Sequence, residues 1–200
     1  MNKDNLLIEQ VIFEYKVLTE AEDKGTRLRG IFQKANAKNQ NGRVYTKDIL
    51  NREIERLSES IGHRRLVGQL DHPQTATIEY AKTSHLVSSL VMDESTGDVI
   101  GELEILDTPA GRIAKSLVES RVQIGVSSRG LGTVRKEDDL LVVNDDFQLV
   151  TFDIVAEPST PNAYPVPLSE SVIKKILSQH KPANFKKELH KLIDKLVWNR

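Results

Sequence analysis

The sequence predicts an α+β fold, built mainly of antiparallel β-sheet or a small β-barrel with flanking helices. Strand candidates outnumber the two helix candidates, and four of them crowd into residues 122–156. Parallel strands need crossovers of a dozen or more residues, so this spacing requires antiparallel pairing. These four strand candidates are VQIGVSS, LGTVRK, DLLVV and FQLVTFDIVA.

The first elements follow in chain order. Residues 26–35 read as a strand, and an Asn- and Gly-rich loop comes after them. Thr46 is a suitable N-cap for a helix that ends at Gly62. Residues 65–70 are a short strand candidate before the loop DHPQTAT. The helix is predicted from an apolar stripe at spacings of four, three and four residues: Leu50, Ile54, Leu57 and Ile61.

A hairpin and a second helix precede the four crowded strands. Residues 83–92 and 98–105 alternate in polarity on either side of the turn ESTG, which predicts two paired strands. Thr108 followed by Pro109 is a strong helix start, and we expect the helix to end near Arg121. Its predicted inner face consists of Ile113, Ala114 and Leu117.

Composition excludes several classes of function. With 28 Lys and Arg against 29 Asp and Glu, the chain lacks the basic excess that nucleic-acid binding needs. It has no cysteine, which excludes disulfides, a thiol nucleophile and thiolate metal sites. No apolar run approaches the ~18 residues of a membrane span. We therefore expect a soluble protein with no nucleic-acid or membrane partner, no metal and no cofactor.

Charge divides the chain into a body, residues 1–167, and a basic amphipathic helical tail, residues 168–200. Four prolines between positions 158 and 167 predict an extended connector before the tail. Residues 171–200 hold eight Lys and Arg against two acidic residues, a net charge of +6, which leaves −7 on residues 1–170. In a protein that only assembles with others, this tail would be the working part.

His72 is the first candidate for chemistry. It follows the predicted strand 65–70 and precedes Pro73, so the sheet would hold its imidazole at a loop. The alternative is a histidine in a surface turn that Asp71 caps.

Ser127 is the second candidate. It lies between an apolar strand, VQIGV, and a glycine-flanked predicted turn, SRGLG, where backbone amides could form an anion-binding hollow. A serine hydroxyl is a weak nucleophile unless an imidazole such as that of His72 takes its proton. Arg129 replaces the second glycine of the G-x-S-x-G elbow, which disfavours an α/β-hydrolase. The alternative is a plain hairpin with serine and glycine at its turn.

Asp153 is the third candidate. It lies in the middle of the apolar strand LVTFDIVA, and carboxylates are seldom buried without a partner. A partly buried carboxylate that accepts the second ring N–H of His72 would set the tautomer and stabilise the imidazolium. The alternative is a sheet face that is open to water.

These segments, in this chain order, resemble the prohead core proteases of T-even-type tailed bacteriophages, which belong to a herpesvirus-assemblin-like clan of serine proteases. The resemblance covers most of residues 6–165. Its motifs are LLIE and GIF near the start, N-x-N-G-R-x-Y (Asn39, Asn41, Gly42, Arg43 and Tyr45), G-x-L-x-H-P (68–73), GVSSRGLG (125–132) and D-x-V-x-x-P-S-x-P (153–161).

The resemblance implies roles for these residues. Ser127 would be the nucleophile, His72 the general base and Asp153 the third catalytic residue. The clan varies at its third position, where the assemblins have a second histidine, so His85 is a rival to Asp153. The remaining candidates for the oxyanion or substrate site are Ser128, Arg129 and Gly130.

Arg129 should lie on the same side of the strand as Ser127 if extended geometry persists. From there it could support the oxyanion loop or pair with a substrate carboxylate. Ser128 should face the opposite way, so only Ser127 should meet the histidine.

The resemblance also implies cleavage after glutamate in a Leu/Ile-x-Glu context. Glu59 and Glu119 fall in predicted helices and Glu102 in a predicted strand, whereas a protease needs an extended, exposed segment. Glu20 and Glu170 are therefore the predicted self-cleavage sites. The pattern occurs six times, ending at Glu9, Glu20, Glu59, Glu102, Glu119 and Glu170.

The function implied is a serine endopeptidase that matures the phage prohead. It would be made in the host cytoplasm and packaged inside the prohead, where it would cut core and capsid proteins and itself. A homo-oligomer is a further partner to test. One alternative is a non-enzymatic prohead core or scaffolding protein. The other is a metal-dependent hydrolase using His72, His85 and a carboxylate, which the lack of an HExxH motif disfavours.

Overall fold

The computed structural model describes residues 6–12, 16–20 and 24–156. These residues form two α-helices, α1 (Lys47–Gly62) and α2 (Pro109–Glu119), and a short 3-10 helix (Tyr80–Lys82) among eleven strands, in the α+β class that the sequence predicts. The strands are β1 (Leu6–Ile12), β2 (Lys16–Glu20), β3 (Lys24–Lys34), β4 (Arg43–Val44), β5 (Val67–Gln69), β6 (Thr83–Met92), β7 (Asp98–Ile105), β8 (Gly125–Leu131), β9 (Val134–Glu137), β10 (Leu140–Val143) and β11 (Gln148–Val155).

In the described part of the chain the strands form three open sheets and no closed barrel. The largest has the order β2-β3-β7-β6-β5, and the other two have the orders β1-β8-β11 and β4-β10-β9. All pairs within these sheets are antiparallel except β4 with β10. The hairpin of β6 and β7 is the one that the sequence predicts.

Helix α1 forms where its capping residue and apolar stripe predict it. The Thr46 side chain accepts a hydrogen bond from the Ile49 N–H, and the helix ends at Gly62. The helix packs against β6. Its apolar stripe faces the core as predicted, with Leu50 and Leu57 buried and Ile54 and Ile61 partly buried.

Helix α2 begins as predicted, with the Thr108 hydroxyl accepting from the Gly111 N–H at 2.9 Å. Its predicted inner face is partly wrong, because the Ile113 side chain is 55% exposed. The buried residues are Gly111, Ala114 and Val118, which share one face at spacings of three and four. A Cβ at Gly111 would lie 1.9 Å from a backbone carbonyl, so only glycine allows this close approach. Neither described helix is long and apolar enough to cross a membrane.

Strand β8 corrects the predicted turn at SRGLG. Ser127, Ser128, Arg129 and Gly130 all lie inside the strand, which is buried from Gly125 to Gly130. It is the central strand of its sheet, with β1 on one side and β11 on the other. Glycine and serine here are not turn residues; their small side chains allow neighbouring elements to approach closely.

Candidate active site

Strands β8 and β11 place two of the predicted site residues side by side. Ser127 on β8 is the direct partner of Asp153 on β11 in the antiparallel register. Directly paired residues of antiparallel strands project to the same face. Both side chains are fully buried, so Asp153 does not lie on a water-exposed sheet face, which was the alternative.

A short loop after β5 brings His72 to the same face. Leu70 forms a bridge with Ile154, and the Asp71 N–H donates to the Ile154 carbonyl at 2.8 Å. Asp71 has a φ of 64°, a left-handed conformation that turns the chain sharply before His72. The His72 side chain is only 13% exposed, so it is not in a surface turn.

His72 contacts both of the other candidates. Its Nδ1 lies 3.1 Å from Asp153 Oδ2, and its Nε2 is hydrogen-bonded to Ser127 Oγ. A carboxylate only accepts, so the ring proton lies on Nδ1 and leaves Nε2 free to accept from the serine hydroxyl. This is the arrangement in which an imidazole can act as a general base towards a serine.

Asp153 is held by four contacts besides its place in the sheet. Its Oδ1 accepts from the Gln69 N–H at 3.0 Å and from Arg129 Nη2 at 3.1 Å, and its Oδ2 lies near His72. Arg129 Nε is 2.9 Å from Oδ2, an ion pair whose N–H direction falls outside hydrogen-bond geometry. A buried carboxylate needs such partners, because an unpaired charge would be costly.

Arg129 lies on the same side of β8 as Ser127, as predicted, and its contacts are with the protein itself. Its guanidinium is fully buried and bound within the protein. Besides Asp153 it donates to the carbonyls of Thr75 and Thr77, at 2.8 and 3.1 Å, and to the Gln69 side chain. The residue therefore ties the loop after His72 to the Asp153 carboxylate. Pairing with a substrate carboxylate, the other role suggested for it, stays a prediction.

Ser128 and Gly130, the other candidates for an oxyanion or substrate site, have different surroundings. Ser128 is buried, and its Oγ has no hydrogen-bond partner among the described residues. A Cβ at Gly130 would lie 2.4 Å from the Phe147 ring. The packing of this ring against β8 therefore requires glycine at position 130. Both residues have strand partners on each side, so neither lies in an open anion-binding turn.

His85, the rival third residue, is bound elsewhere. Its Nε2 donates to the Phe152 carbonyl at 3.0 Å, and its Nδ1 lies 2.9 Å from the Ser84 hydroxyl. Full burial lowers the pKa of His85 to about 4. The ring is therefore neutral at pH 7, with both nitrogens in use, while Asp153 is the residue on His72 Nδ1.

A family model described as prohead core protein serine protease matches residues 5–173. The chain belongs to this family. It is 28% identical over 185 residues to the prohead core protein protease of Enterobacteria phage T4, covering 84% of this chain and 86% of that protein. The predicted family resemblance is therefore confirmed.

The fold has a solved structural neighbour. The structure of the bacteriophage T4 capsid assembly protease matches with a TM-score of 0.70 at 24% identity. The match covers 77% of this chain and 98% of that one. This likeness supports the predicted α+β class.

A cleft opens beside the histidine of this prohead protease family member. It has a volume of about 500 Å³ and is lined by residues of the His72 loop, the segment before β6 and the start of α2. Ile113, the exposed residue of α2, is part of its wall. In the described residues no group of three or more histidine or acidic side chains could hold a metal ion.

Strand β1 covers the serine, and the sequence did not predict this contact. In the register of β1 with β8, Gln10 lies opposite Ser127. The Ser127 hydroxyl donates to the main-chain carbonyl of Glu9, so this carbonyl and His72 Nε2 compete for its single proton. The two residues are 118 positions apart, so no local pattern could pair them.

Of the two predicted self-cleavage sites, only Glu20 lies in the part of the chain that the structure describes. Glu20 is the last residue of β2, an edge strand, and pairs with Lys24. Glu170, the connector and the basic tail lie outside the described residues.

Proposed function

We propose that this chain is a serine endopeptidase that matures a phage prohead from within. Its substrates are core and capsid proteins and the chain itself, cut after glutamate in Leu/Ile-x-Glu contexts. The observation that carries the proposal is His72, whose two ring nitrogens join the Ser127 hydroxyl to the Asp153 carboxylate. The enzyme is made in the host cytoplasm and acts inside the prohead.

In the first half of the reaction, Ser127 Oγ attacks the carbonyl carbon of the scissile peptide. His72 Nε2 takes the hydroxyl proton as the C–O bond forms, and then passes it to the leaving amine as the C–N bond breaks. The product is an acyl ester on Ser127. In the second half, His72 takes a proton from the water that attacks this ester. It returns the proton to Ser127 Oγ as the ester C–O bond breaks, which frees the serine and the new carboxyl end.

Asp153 and Arg129 keep the base ready for this cycle. The Asp153 carboxylate holds the Nδ1 proton and stabilises the imidazolium that forms in each half-reaction. Arg129 in turn holds the carboxylate and the loop after His72, so it acts as a positioning residue. Such preorganisation is what lets a buried charge contribute to catalysis without reorganising during the reaction.

The choice of substrates is supported by the family and by relatives whose names connect them with prohead core and capsid assembly. These names concern phage T4 proteins, and their extension to this chain is part of the proposal. The lack of basic excess in the chain agrees with protein rather than nucleic acid as substrate.

The test is covalent labelling of the full chain with a fluorophosphonate, followed by mass spectrometry of the labelled peptide. We expect the label on Ser127 and a loss of activity in proportion to labelling. Ser127→Ala should fold normally and lose ~10⁴-fold or more of turnover, the usual cost of losing a triad member. Ser128→Ala is the matched control, since its side chain faces away from His72.

The opposite result would identify a different enzyme or none. If Ser128→Ala loses peptidase activity and Ser127→Ala keeps it, the assignment of Ser127 as nucleophile is overturned. A folded wild type that takes no label and hydrolyses no peptide would favour the non-enzymatic core or scaffolding protein instead.

A further inference from the structure

The carboxylate of Glu9 lies in a pocket built by the N-x-N-G-R-x-Y motif. Glu9 is 1% exposed, and among the described residues the side-chain donors to its carboxylate all come from the short segment 39–45. Arg43 Nη1 and Tyr45 Oη donate to Oε1 at 2.7 and 2.8 Å. Asn41 Nδ2 donates to Oε2 at 2.7 Å, and Asn39 Nδ2 donates to the same oxygen. We call these four residues the Glu9 pocket.

The pocket is built to hold an anion of this length. All four side chains present donors, and one of them is a cation, so a glutamate carboxylate finds each lone pair matched. Burial, together with the Glu9 charge, raises the pKa of the Tyr45 hydroxyl well above its usual range, which keeps it a neutral donor. A glutamine in the same place would turn an amide NH2 towards these donors and leave them unpaired.

The loop of residues 39–45 has hydrogen bonds of its own that do not involve Glu9. Asn39 Oδ1 accepts from the backbone N–H groups of Asn41 and Arg43, at 3.0 and 2.9 Å, and Gly42 takes a left-handed φ of 73°. These local bonds aim the amide of Asn39 and the side chains after it towards one point. The pocket is therefore preformed by its own turn.

The same glutamate also reaches the reactive serine. Its side chain fills the pocket while its main-chain carbonyl accepts from Ser127 Oγ. A substrate residue on the amino side of a cut bond has this pair of contacts, with its side chain in a subsite and its carbonyl at the nucleophile. β1 lies antiparallel on β8, the way a peptide strand adds to a sheet.

Two further contacts fit a bound peptide. Asn41 Nδ2 and Arg43 Nη1 also donate to the Ile8 carbonyl, at 3.0 and 3.1 Å, and so hold the main chain next to Glu9. Leu7, two residues before Glu9, is buried in the main apolar core. The strand is thus held by side chain, main chain and an apolar residue together.

We propose that the Glu9 pocket is the subsite that selects glutamate on the amino side of the cut bond, and that β1 occupies it as an internal peptide. This inference rests on the proposed function, because it requires Ser127 to be the nucleophile. It assigns a role to the N-x-N-G-R-x-Y motif. A substrate strand would have to take the place of β1 beside β8.

A purely structural ion pair is the competing explanation, and substrate selectivity separates the two. Two peptides that differ only in Leu-Ile-Glu or Leu-Ile-Gln before the cut bond are compared by kcat/KM on the full chain. We expect the wild type to prefer glutamate strongly. Arg43→Gln and Tyr45→Phe should each reduce the preference by about 10- to 100-fold, mainly by slowing the glutamate peptide. Arg65→Gln, which changes an exposed arginine, is the control.

A residue that only holds β1 in place would lower both peptide rates together and leave their ratio unchanged, which would overturn the subsite. Equal rates for the two peptides in the wild type would also overturn it. Neither result affects serine labelling. A wild type and a folded Glu9→Gln variant, in which β1 is held less tightly, that both take no label and cut neither peptide would overturn the proposed function and this inference with it.

Occupation by β1 is tested with Glu9→Gln. Weakening the internal peptide should lower KM for the glutamate peptide several-fold, while Glu55→Gln, an exposed glutamate of α1, should leave KM unchanged. Loss of residues 1–9 in the intact mass of the wild type would also support the subsite. An unchanged KM in Glu9→Gln with an uncut chain would overturn the role of β1.

Discussion

At the scale of single residues, the site depends on a buried charge that is fully partnered. Asp153 has no solvent exposure, and its oxygens are held by a backbone amide, an arginine and His72. Removing a partner from such a group costs far more than a surface change does, because the remaining charge stays buried. The same contacts orient the imidazole.

Replacing Asp153 by asparagine should therefore affect turnover more than folding. The amide has nearly the same shape, but it can turn an N–H towards His72 and stabilise the wrong tautomer. We expect Asp153→Asn to lower kcat/KM by ~10⁴-fold while the chain still folds. Peptide kinetics beside a circular dichroism spectrum measure both quantities.

The rival histidine provides the contrasting variant. His85→Gln keeps an N–H for the Phe152 carbonyl and should retain most of the activity. If Asp153→Asn keeps nearly full activity and a folded His85→Gln is inactive, the assignment of Asp153 as third catalytic residue is contradicted. That result would favour a Ser-His-His arrangement.

His85 also makes stability depend on pH. Its pKa is lowered by burial from 6.5 to about 4, so the folded state binds this proton less readily than the unfolded chain does. The neutral ring is fully compatible with the fold above pH 6.5, and its contribution is lost as the pH falls from 6.5 to 4. The lowered pKa corresponds to a loss of about 3 kcal/mol over that window.

This prediction is measured by urea unfolding of the wild type and His85→Gln between pH 7 and pH 4. The wild type should lose more stability on acidification than the variant does. An NMR titration of the His85 ring gives an independent reading if the variant folds poorly. A ring that protonates near pH 6.5 in the folded protein would contradict the prediction.

At the scale of elements, close contact between β5 and β11 brings the His72 loop to the catalytic face. A Cβ at Gly68 on β5 would lie 2.1 Å from the Phe152 carbonyl and 2.2 Å from His85 Nε2. Any side chain would push β5 away from β11. Because His72 follows β5 by three residues, that shift would also move the imidazole.

Gly68→Ala should therefore destabilise the fold by roughly 1–3 kcal/mol or more, the usual cost of overpacking. Gly62→Ala is the matched control, since nothing lies within 4 Å of a Cβ there, at the end of α1. Alanine should be neutral or stabilising by up to about 1 kcal/mol at that position. The urea midpoints of the two variants measure the difference, and equal midpoints would contradict the close-contact argument.

At the scale of the whole molecule, charge is divided between a body and a tail. Residues 1–170 carry −7 and residues 171–200 carry +6. A basic amphipathic segment can bind an acidic scaffold by charge complementarity, which would bring a protease into an assembling shell. Cutting at Leu168-Ser169-Glu170 would then release the body from the tail.

Incubation of the wild type should yield a fragment that begins at Ser171. Glu170→Gln should prevent its formation, because the residue before the cut bond would lose its charge. Glu188→Gln, in the tail but outside any Leu/Ile-x-Glu sequence, is the control. Intact mass spectrometry measures all three chains, and a wild type that digests substrate while keeping its tail would refute the prediction.

The sequence by itself determined the elements whose causes are local. Thr46 and Thr108 precede the helices that they cap, and the β6–β7 hairpin has its turn between two alternating segments. These features depend on neighbours within a few residues, so pattern and capping chemistry suffice. The motifs also led to His72, Ser127 and Asp153, because their resemblance to a protease family is specific.

Only the tertiary structure decided how distant segments meet. The glycines and serines of β8 have the composition of a turn, yet strands on both sides make it a buried central strand. Ile113 appeared to belong to an inner face, but the close approach at Gly111 rotates the helix so that Ile113 faces a cleft. Glu9 contacts Ser127, which is 118 positions away in the sequence. It also contacts the N-x-N-G-R-x-Y motif, which begins 30 positions away. Such contacts arise from packing and register, which periodicity along one segment does not encode.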